Sequence, residues 1–595
     1  MKEKVYIYNA EDLKSERDIY FAYDALCFIV SLQGLLNREK PVLFINYREG
    51  LDEFWLNYIS GTGKLLDGKT FVHLTKYSEV LEVFAPYIAE HGLVAWDLNV
   101  PSTLNVAVTV CGVQNYLPIC EGRFFETLSK ANNCEIKIDL RGKFKGTGII
   151  YGTERQSTGS AKCDAYIYAL ENFFDLTSDE IMGYTLDGYG RQWLYENTSR
   201  DYENAFISNI DYLISERAFV FDLCPWDDES PCDDKAQPYG TDYAVFKEIL
   251  TRQAEKNRGQ KITSVTGFTP WQAKYTRYGN KSVHGEVETE WRHAELLSAH
   301  NCIMDADAYG YCGLFNASLY RLYPLKDKYI NSHVKSENKL QYDENKTYVL
   351  LYMGDYDSAV WLTIHAPVHW SDPNRGIYPS MWCFNPNLSR RVPMAFDYLY
   401  ENKTENDFFA AGDSGAGYLN PSLLFAPRIF SELPDADELF VRHNKYYFDK
   451  FDLSDVGFII NGHHEFNEKI YDMYAEFIKG GAGHNGYGLP VYIKNNTVFM
   501  GHISDLPGHI SLTQKFNEGK YNQENIEKSA EIIIGFNKEK RYKNFMIFRT
   551  ILWTPSMVDA LKKCLKEKDP ANEYIFAGPE DFFRMAREEL KSPQK

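Results

Sequence analysis

The alternation of short apolar runs with helix-like stretches is the feature that most constrains how this chain can fold. In the first 140 residues, strand-like runs such as Val5–Tyr8 and Pro41–Ile45 are separated by stretches with apolar residues at helical spacing, among them Ile19–Leu36. This βαβα order predicts parallel sheets that are covered by helices. Because no GxGxxG motif follows the first strand, the pattern does not indicate a dinucleotide site.

The rhythm of this alternation predicts three domains. We expect an N-terminal α/β domain with a parallel sheet over residues 1–141, a second small domain that is α/β or mostly helical over 142–258, and a larger domain over 259–595. A stretch rich in Gly, Lys, Thr and Ser over 142–159 marks the first boundary.

The third region contains roughly eight extended runs in about 330 residues, with helical patterns between several of them, and this spacing is typical of a (β/α) barrel. An open α/β sheet would give much the same pattern. We therefore predict an α/β chain with a C-terminal (β/α) barrel-like domain. The runs are Ile262–Phe268, Cys302–Met304, Tyr348–Met353, Ile377–Phe384, Phe408–Ala411, Val456–Ile460, Val491–Ile493 with Val498–Met500, and Phe545–Leu552.

Composition narrows the classes of partner. Aromatic residues make up 15% of the chain, and aromatic faces stack on sugar rings, so a carbohydrate ligand is favoured. A net charge of -19 repels phosphate backbones and argues against nucleic acid. The eleven cysteines form no CxxC pair, which favours reduced, buried thiols.

No secretion signal or transmembrane helix is expected, so we predict no membrane partner and a cytoplasmic protein, unless a secretion signal has been removed. The oligomeric state is not determined.

Acidic residues follow several predicted strands of the C-terminal region, where sites of parallel α/β folds collect. Asp355 and Asp357 follow one strand, Asp413 a second and Glu465 a third. Glycoside cleavage needs one protonated and one ionised carboxyl group, so we predict that these four residues are catalytic. In an extended segment Asp355 and Asp357 would point to the same side, which would raise one pKa or bind a cation. Each acid taken singly could instead cap a helix.

Other residues near these strand ends are predicted to contact the substrate. Gly415 and Gly417 would let the backbone approach a ligand closely. A histidine beside Glu465 could also serve as an acid, a base or a metal ligand. The remaining predicted contacts are the candidate sugar platforms Trp361, Trp382 and Tyr418 and the histidines His463 and His464.

His365 and His369 have the spacing of two ligands on one helix, but Pro367 between them would disrupt a helix interior. We predict neither a metal nor a cofactor.

The stretch Gly415-Ala-Gly417-Tyr418-Leu-Asn420-Pro421 resembles the signature of the GxGYxYP family of putative glycoside hydrolases, with Asn420 where the second Tyr is usual. Gly354–Asp357 is similar to the family's Asp-Gly-Asp-Asn stretch, and Arg375–Trp382 resembles the run before the signature. The resemblance covers about Lys261 to Lys595 and implies a barrel that acts on sugars. It makes Gly415, Gly417, Tyr418 and Pro421 motif positions and does not make them catalysts.

The predicted function is therefore hydrolysis of a glycosidic bond by paired carboxylates at the barrel mouth. Asp355 or Asp357 would be one carboxylate, and Glu465 or Asp413 its partner. One alternative is a metal-dependent carbohydrate hydrolase, such as a deacetylase, that uses Asp355, Asp357 and nearby histidines. A second alternative is a non-catalytic carbohydrate-binding protein. The sugar, its linkage and the stereochemistry are not determined by the sequence.

Overall fold

The chain forms two compact units. The computed structural model describes residues 3–131, 134–186, 188–191, 207, 209–231, 233–268, 283–308, 314–331, 339–485, 490–508 and 521–590. Unit 1 comprises Met1–Pro324 together with Arg390–Met394, and unit 2 comprises Leu325–Ser389 and Ala395–Lys595. The three domain boundaries predicted from the sequence remain predictions.

Unit 1 is built on short parallel strands. Its strands are β1 Lys4–Asn9, β2 Leu43–Asn46, β3 Thr70–Leu74, β4 Leu93–Ala95, β5 Leu117–Ile119, β6 Ile136–Asp139, β7 Ile181–Tyr184, β8 Phe219–Phe221, β9 Thr263–Phe268 and β10 Cys302–Ala308. They form three parallel sheets with the orders β2-β1-β3, β5-β4-β6 and β10-β9-β7-β8.

Helices separate these strands, as the alternation in the sequence predicts. They are Glu11–Lys14, Ile19–Leu36, Leu51–Ile59, Tyr77–Val83, Ala85–His91, Thr103–Gln114, Arg123–Ala131, Ala161–Asn172, Ile210–Ser215, Thr241–Asn257, Glu286–Ala299 and Ala317–Tyr320, with a 3-10 turn at Phe174–Leu176.

The helix Ile19–Leu36 is the central core helix of unit 1. Asp18 caps it by accepting a hydrogen bond from the backbone N–H of Phe21. A methyl group added at Gly34 would lie 2.5 Å from the carbonyl oxygen of Asp211, so this glycine lets the helix Ile210–Ser215 pack closely. By length and hydropathy alone Ile19–Leu36 could also cross a membrane, which the sequence analysis did not expect, and it is 83% buried. Localisation remains a prediction.

Unit 2 contains one large sheet. Its strands are β11 Lys346–Tyr356, β12 Ser380–Phe384, β13 Asp407–Asp413, β14 Val456–Ile459, β15 Gly481–His484, β16 Tyr492–Lys494, β17 Thr497–Gly501, β18 Ser504–Leu506, β19 Phe545–Ile551 and β20 Glu573–Phe576. The order is β16-β17-β15-β14-β13-β12-β11-β19-β18, and β20 also pairs with β11. All pairs are parallel except β16 with β17.

Helices lie between most of these strands. They are Ala359–Trp370, Pro393–Glu401, Asp437–Phe451, Glu468–Ala475, Gln523–Glu539, Pro555–Lys568 and Pro579–Leu590, with 3-10 turns at Pro386–Arg390 and Pro421–Leu424.

The sheet of unit 2 is strongly curled. Strands β11 and β14 are separated by two others, yet a methyl group on Gly457 of β14 would lie 2.1 Å from ring carbons of Tyr352 on β11. Only glycine fits at such an approach. Buried residues of this face, including Tyr352 and Ile547, form a core with Phe582 and Phe583 of the helix Pro579–Leu590.

The mixed α/β class with parallel sheets is confirmed, but a closed (β/α) barrel is not. Within the described residues, strand pairing ends at β16 on one side and at β18 on the other. The runs Ile262–Phe268 and Cys302–Met304, predicted as barrel strands, form β9 and β10 of the four-stranded sheet in unit 1. That part of the prediction was wrong because an apolar run does not reveal which sheet it joins.

Candidate functional site

The candidate site lies at the carboxyl ends of β11, β13 and β19. Tyr352 on β11 is in register with Arg549 on β19, and Arg549 is in register with Asp505 on the neighbouring edge strand β18. Three polar side chains from distant parts of the chain therefore form one row across the sheet.

Asp413, the last residue of β13, is the most buried carboxyl group of the site. It is 3% exposed, and the Tyr352 hydroxyl donates to its Oδ1 at 2.5 Å. Burial raises the pKa of Asp413 to about 6, although Arg549 and the Tyr352 hydroxyl act in the opposite direction. Asp357 also shares a hydrogen bond with this carboxyl. This interaction lowers the pKa of Asp413 and so opposes the effect of burial.

Arg549 supplies the positive charge of the site. Its Nη2 lies 3.7 Å from Oδ1 of Asp355, and its Nε lies 3.4 Å from Oδ1 of Asp505 without hydrogen-bond geometry. The side chain of Arg549 is 20% exposed, compared with 29% for Asp355 and 54% for Asp505. These two carboxylates are therefore the part of the site that solvent reaches.

Backbone geometry separates Asp355 from Asp357. The register of β11 against β12 shifts between Met353 and Tyr356, and Asp355 has a φ of 69°. Such a left-handed conformation costs about 1–2 kcal/mol in a residue with a side chain. The strand is therefore not regularly extended here: Asp355 contacts Arg549, Asp357 interacts with Asp413, and both carboxyl groups act on the pKa of Asp413. The expectation that the two carboxylates point to the same side stays a prediction. Bulges of this kind re-aim side chains at the ends of strands.

The glycine-rich turn after Asp413 packs against the helix Asp437–Phe451. Gly415 and Gly417 have φ values of 114° and 124°. The backbone N–H of Ala416 donates to Asn444 Oδ1 at 2.8 Å, and a methyl group on Gly415 would lie 2.5 Å from that oxygen. Gly415 therefore allows the turn to fit against Asn444, and the ligand contact expected of Gly415 and Gly417 stays a prediction.

Two of the three predicted sugar platforms are buried. Tyr418 is 2% exposed. Trp382 is 1% exposed, donates from Nε1 to Asp407 at 2.8 Å, and packs against Trp370. Neither ring has an open face for a sugar, because both belong to the core. Trp361, half-buried in the first turn of the helix that follows Asp357, is the platform candidate that remains.

That helix, Ala359–Trp370, continues through Pro367. The Tyr356 hydroxyl contacts His369 Nδ1, and burial lowers the pKa of His369 well below its ordinary value. His365 and His369 stack with their rings 5.4 Å apart.

The loop after β14 carries Glu465, His463 and His464. Glu465 and His463 are exposed and His464 is half-buried. The backbone carbonyl of Glu465 accepts from Ser422 and Asn461, but within the described chain its carboxylate makes no hydrogen bond or ion pair with the other predicted acids. The structure therefore does not support Glu465 as the partner of Asp355.

The residues predicted to form the site do not include Tyr352, His502, Asp505 or Arg549, although the stretch from His502 to Asp505 follows a predicted strand. His502 is 6% exposed, its backbone N–H donates to the carbonyl of His484 at 2.8 Å, and its ring lies 5.0 Å from that of Phe458. Burial lowers the pKa of His502 to about 3, and its Nε2 has no hydrogen-bond partner among the residues that the structure describes. Two signals were available in the sequence: the polar residues His502 and Asp505 directly after the run Val498–Met500, and Arg549, a lone cation inside the apolar run Phe545–Leu552.

Metal binding has no geometric support in the part of the chain that the structure describes. There, no group of three or more His, Cys, Asp or Glu side chains is arranged to hold a metal ion.

Comparison with solved structures shows a shared fold. A putative hydrolase from Bacteroides thetaiotaomicron superposes with a TM-score of 0.68 at 15% identity, covering 100% of this chain and 96% of that chain, which shows a common fold. A putative polysaccharide deacetylase from Mycobacterium smegmatis is 12% identical over 44% of this chain and 98% of that chain, but its TM-score of 0.29 carries no argument. The comparison with curated proteins gives no match.

Two stretches match domains of one family. Residues 345–587 match the GxGYxYP putative glycoside hydrolase C-terminal domain, and residues 90–176 match the GxGYxYP_N second domain. Together they cover more than half of the chain, and they agree with the motif at Gly415–Pro421. The chain belongs to the GxGYxYP family.

Proposed function

We propose that unit 2 hydrolyses glycosidic bonds and that the Asp357–Asp413 pair donates the proton. The observation that carries this proposal is the buried Asp413 carboxyl group, which accepts a hydrogen bond from Tyr352 and interacts with Asp357 at the carboxyl end of one sheet. A carboxyl group that keeps its proton near pH 6 can protonate a leaving glycosidic oxygen. The family description as putative glycoside hydrolases supports the same class of reaction.

The pair acts as a single acid, so a third carboxylate must complete the reaction. Two carboxyl groups in a direct hydrogen bond are closer than the ~5–5.5 Å of retaining and the ~6.5–9.5 Å of inverting glycosidases. Asp355 is 29% exposed and is held by Arg549, so we assign it the role of base or nucleophile. The distance between the carboxyl group of Asp355 and the Asp357–Asp413 pair then distinguishes retention from inversion of configuration. Analysis of the configuration of the product shows which of the two occurs.

Trp361 is assigned as a sugar platform in this proposal. It is half-buried and lies in the first helical turn after Asp357 and Ser358, so one ring face can border a sugar held beside the acid pair. Stacking of this kind would orient the sugar without adding charge to the site.

The test is release of reducing ends from a panel of glycans. We expect Asp413→Asn and Asp355→Asn each to lower kcat about 10²–10⁴-fold, the usual cost of losing an acid or base. Asp449→Asn, which removes an exposed carboxylate from the helix Asp437–Phe451, is the matched control and should retain activity.

Either of two results would contradict the proposal and favour one of the alternative functions. Acetate release that a chelator abolishes and added metal restores would indicate the deacetylase alternative. Glycan binding that Asp355→Asn leaves unchanged, with no cleavage of any glycan, would indicate a carbohydrate-binding protein.

A further inference from the structure

We infer that this site takes a sugar unit that carries a free ammonium group, and that Asp505 selects it. The inference rests on the proposed function, because it names the substrate class of the same site. Asp505 has no role in the proton transfers described above, so it acts here as a specificity-determining residue.

The first argument is the balance of charge. When the Asp357–Asp413 pair holds one proton and Asp355 and Asp505 are ionised, these four carboxyl groups carry three negative charges. Burial raises the pKa of Asp505, and Arg549 acts in the opposite direction. Arg549 contacts both Asp355 and Asp505 and brings one positive charge. The site is therefore negative as a whole, and a cation gains electrostatic energy on entering it.

The second argument is how exposed each charged group is to an entering ligand. Asp505 is the most open of these groups, with 54% of its side chain exposed, and it lies on the edge strand of the sheet. Arg549 is 20% exposed and already lies between two carboxylates. A substrate carboxylate or sulfate would face Asp505 and Asp355 before it could reach the guanidinium, so anionic sugars are disfavoured.

The third argument is a buried polar atom next to these charges. His502 packs edge-on against Tyr352 and against Phe458, whose ring lies under the guanidinium of Arg549. Within the described part of the chain its Nε2 is buried without a hydrogen-bond partner, and such an atom is unfavourable unless a ligand satisfies it. A neutral imidazole can bond a sugar hydroxyl or amine, and it adds no positive charge that would attract an anion.

The experiment measures binding, so it does not depend on turnover. The probes are the methyl glycosides of glucosamine, N-acetylglucosamine, glucose and glucuronic acid, titrated at about pH 6, where the amino group is charged. The protein is the full chain carrying Asp413→Asn, which removes the buried acid and keeps Asp355, Asp357 and Asp505. We expect the glucosaminide to bind at least tenfold more tightly than the neutral sugars and the glucuronide to bind most weakly.

Two variants and the salt dependence sharpen the result. Asp505→Asn added to this background should reduce the preference for the glucosaminide at least fivefold, whereas Asp449→Asn should leave it unchanged. The preference should also weaken as ionic strength rises, because the charges are partly exposed.

The outcomes separate the inference from the proposed function. Equal binding of all probes, or a preference for the glucuronide, overturns the inference even if the wild-type chain cleaves neutral glycans. A preference for the glucosaminide that follows Asp505 supports the inference, even if no glycan is hydrolysed and the proposed function fails.

Discussion

Asp413 couples function to stability at the scale of a single residue. Its carboxyl group has a pKa of about 6 in the folded protein, compared with 3.8 as the ordinary value. Between these values the folded chain holds a proton that the unfolded chain has released, so stability falls as pH rises from about 4 to about 6. At 1.36 kcal/mol per pKa unit, the loss amounts to about 3 kcal/mol above pH 6.

Replacement of Asp413 by Asn should remove this loss. The amide oxygen can still accept from Tyr352, and the amide nitrogen can donate to Asp357. We expect Asp413→Asn to raise the free energy of unfolding by about 2 kcal/mol at pH 8 and to change it little at pH 4. Urea unfolding at the two pH values checks this, and an equal effect at both would show that the proton is not the cause.

Tyr352 should tune the acid, because its hydroxyl donates to Asp413 and lowers the pKa of that carboxyl. We expect Tyr352→Phe to raise the pKa and to move the alkaline limb of the kcat/KM profile to higher pH. Tyr348→Phe is the control, since that hydroxyl bonds Asp343 and Gln341 at the other end of β11. A profile that only loses height would mean that the Tyr352 hydroxyl does not tune the acid.

At the scale of elements, the curl of the large sheet depends on Gly457. A side chain there would lie 2.1 Å from the Tyr352 ring, whereas a methyl group on Gly535 in the helix Gln523–Glu539 would meet no described atom within 4 Å. We expect Gly457→Ala to lower the free energy of unfolding by about 1–3 kcal/mol or more through overpacking. Gly535→Ala should raise it by about 0.5–1 kcal/mol through helix propensity. Denaturant titrations of the two variants form a matched test, and equal signs would contradict it.

Individual strands of this sheet could be predicted from the sequence, but their arrangement could not. The runs Tyr348–Met353, Phe408–Ala411 and Phe545–Leu552 correspond closely to β11, β13 and β19. Whether a sheet closes depends on contacts between distant strands, such as Gly457 against Tyr352, and these leave no mark on local periodicity.

The same limit applies to the site. Acids after strands could be identified, and Asp357 and Asp413 do meet. Trp382 failed as a platform because the burial of an aromatic ring is decided by its neighbours, here Trp370 and Asp407.

At the scale of the whole molecule, the chain leaves unit 2 at Ser389 and returns to it at Ala395. The intervening segment completes the core of unit 1. In that core Arg391, 1% exposed, pairs with the buried carboxylate of Asp307 and contacts Asn209. The two units are therefore not independent stretches of sequence.

Because the segment Arg390–Met394 belongs to unit 1, we predict that substitutions of its two adjacent arginines destabilise unit 1 to different extents. Arg391→Met would leave the Asp307 carboxylate buried without its cation, and we expect unit 1 to lose about 3–5 kcal/mol. Arg390→Met removes a partly exposed pair with Glu180, worth less than about 1 kcal/mol. Hydrogen exchange in peptides from β7 and β10 reports the difference, and similar protection in both variants would contradict the expectation.

The pairing of β11 has a consequence for synthesis of the protein. Tyr348 pairs with Phe545, so one edge of this apolar strand stays unpaired until about 200 further residues have been synthesised. At typical ribosome speeds of about 5–20 residues per second, that delay lasts on the order of ten seconds or more. During that interval the nascent polypeptide exposes an unpaired strand edge of the kind that aggregates, so we expect chaperones to increase the yield of folded protein in the cell.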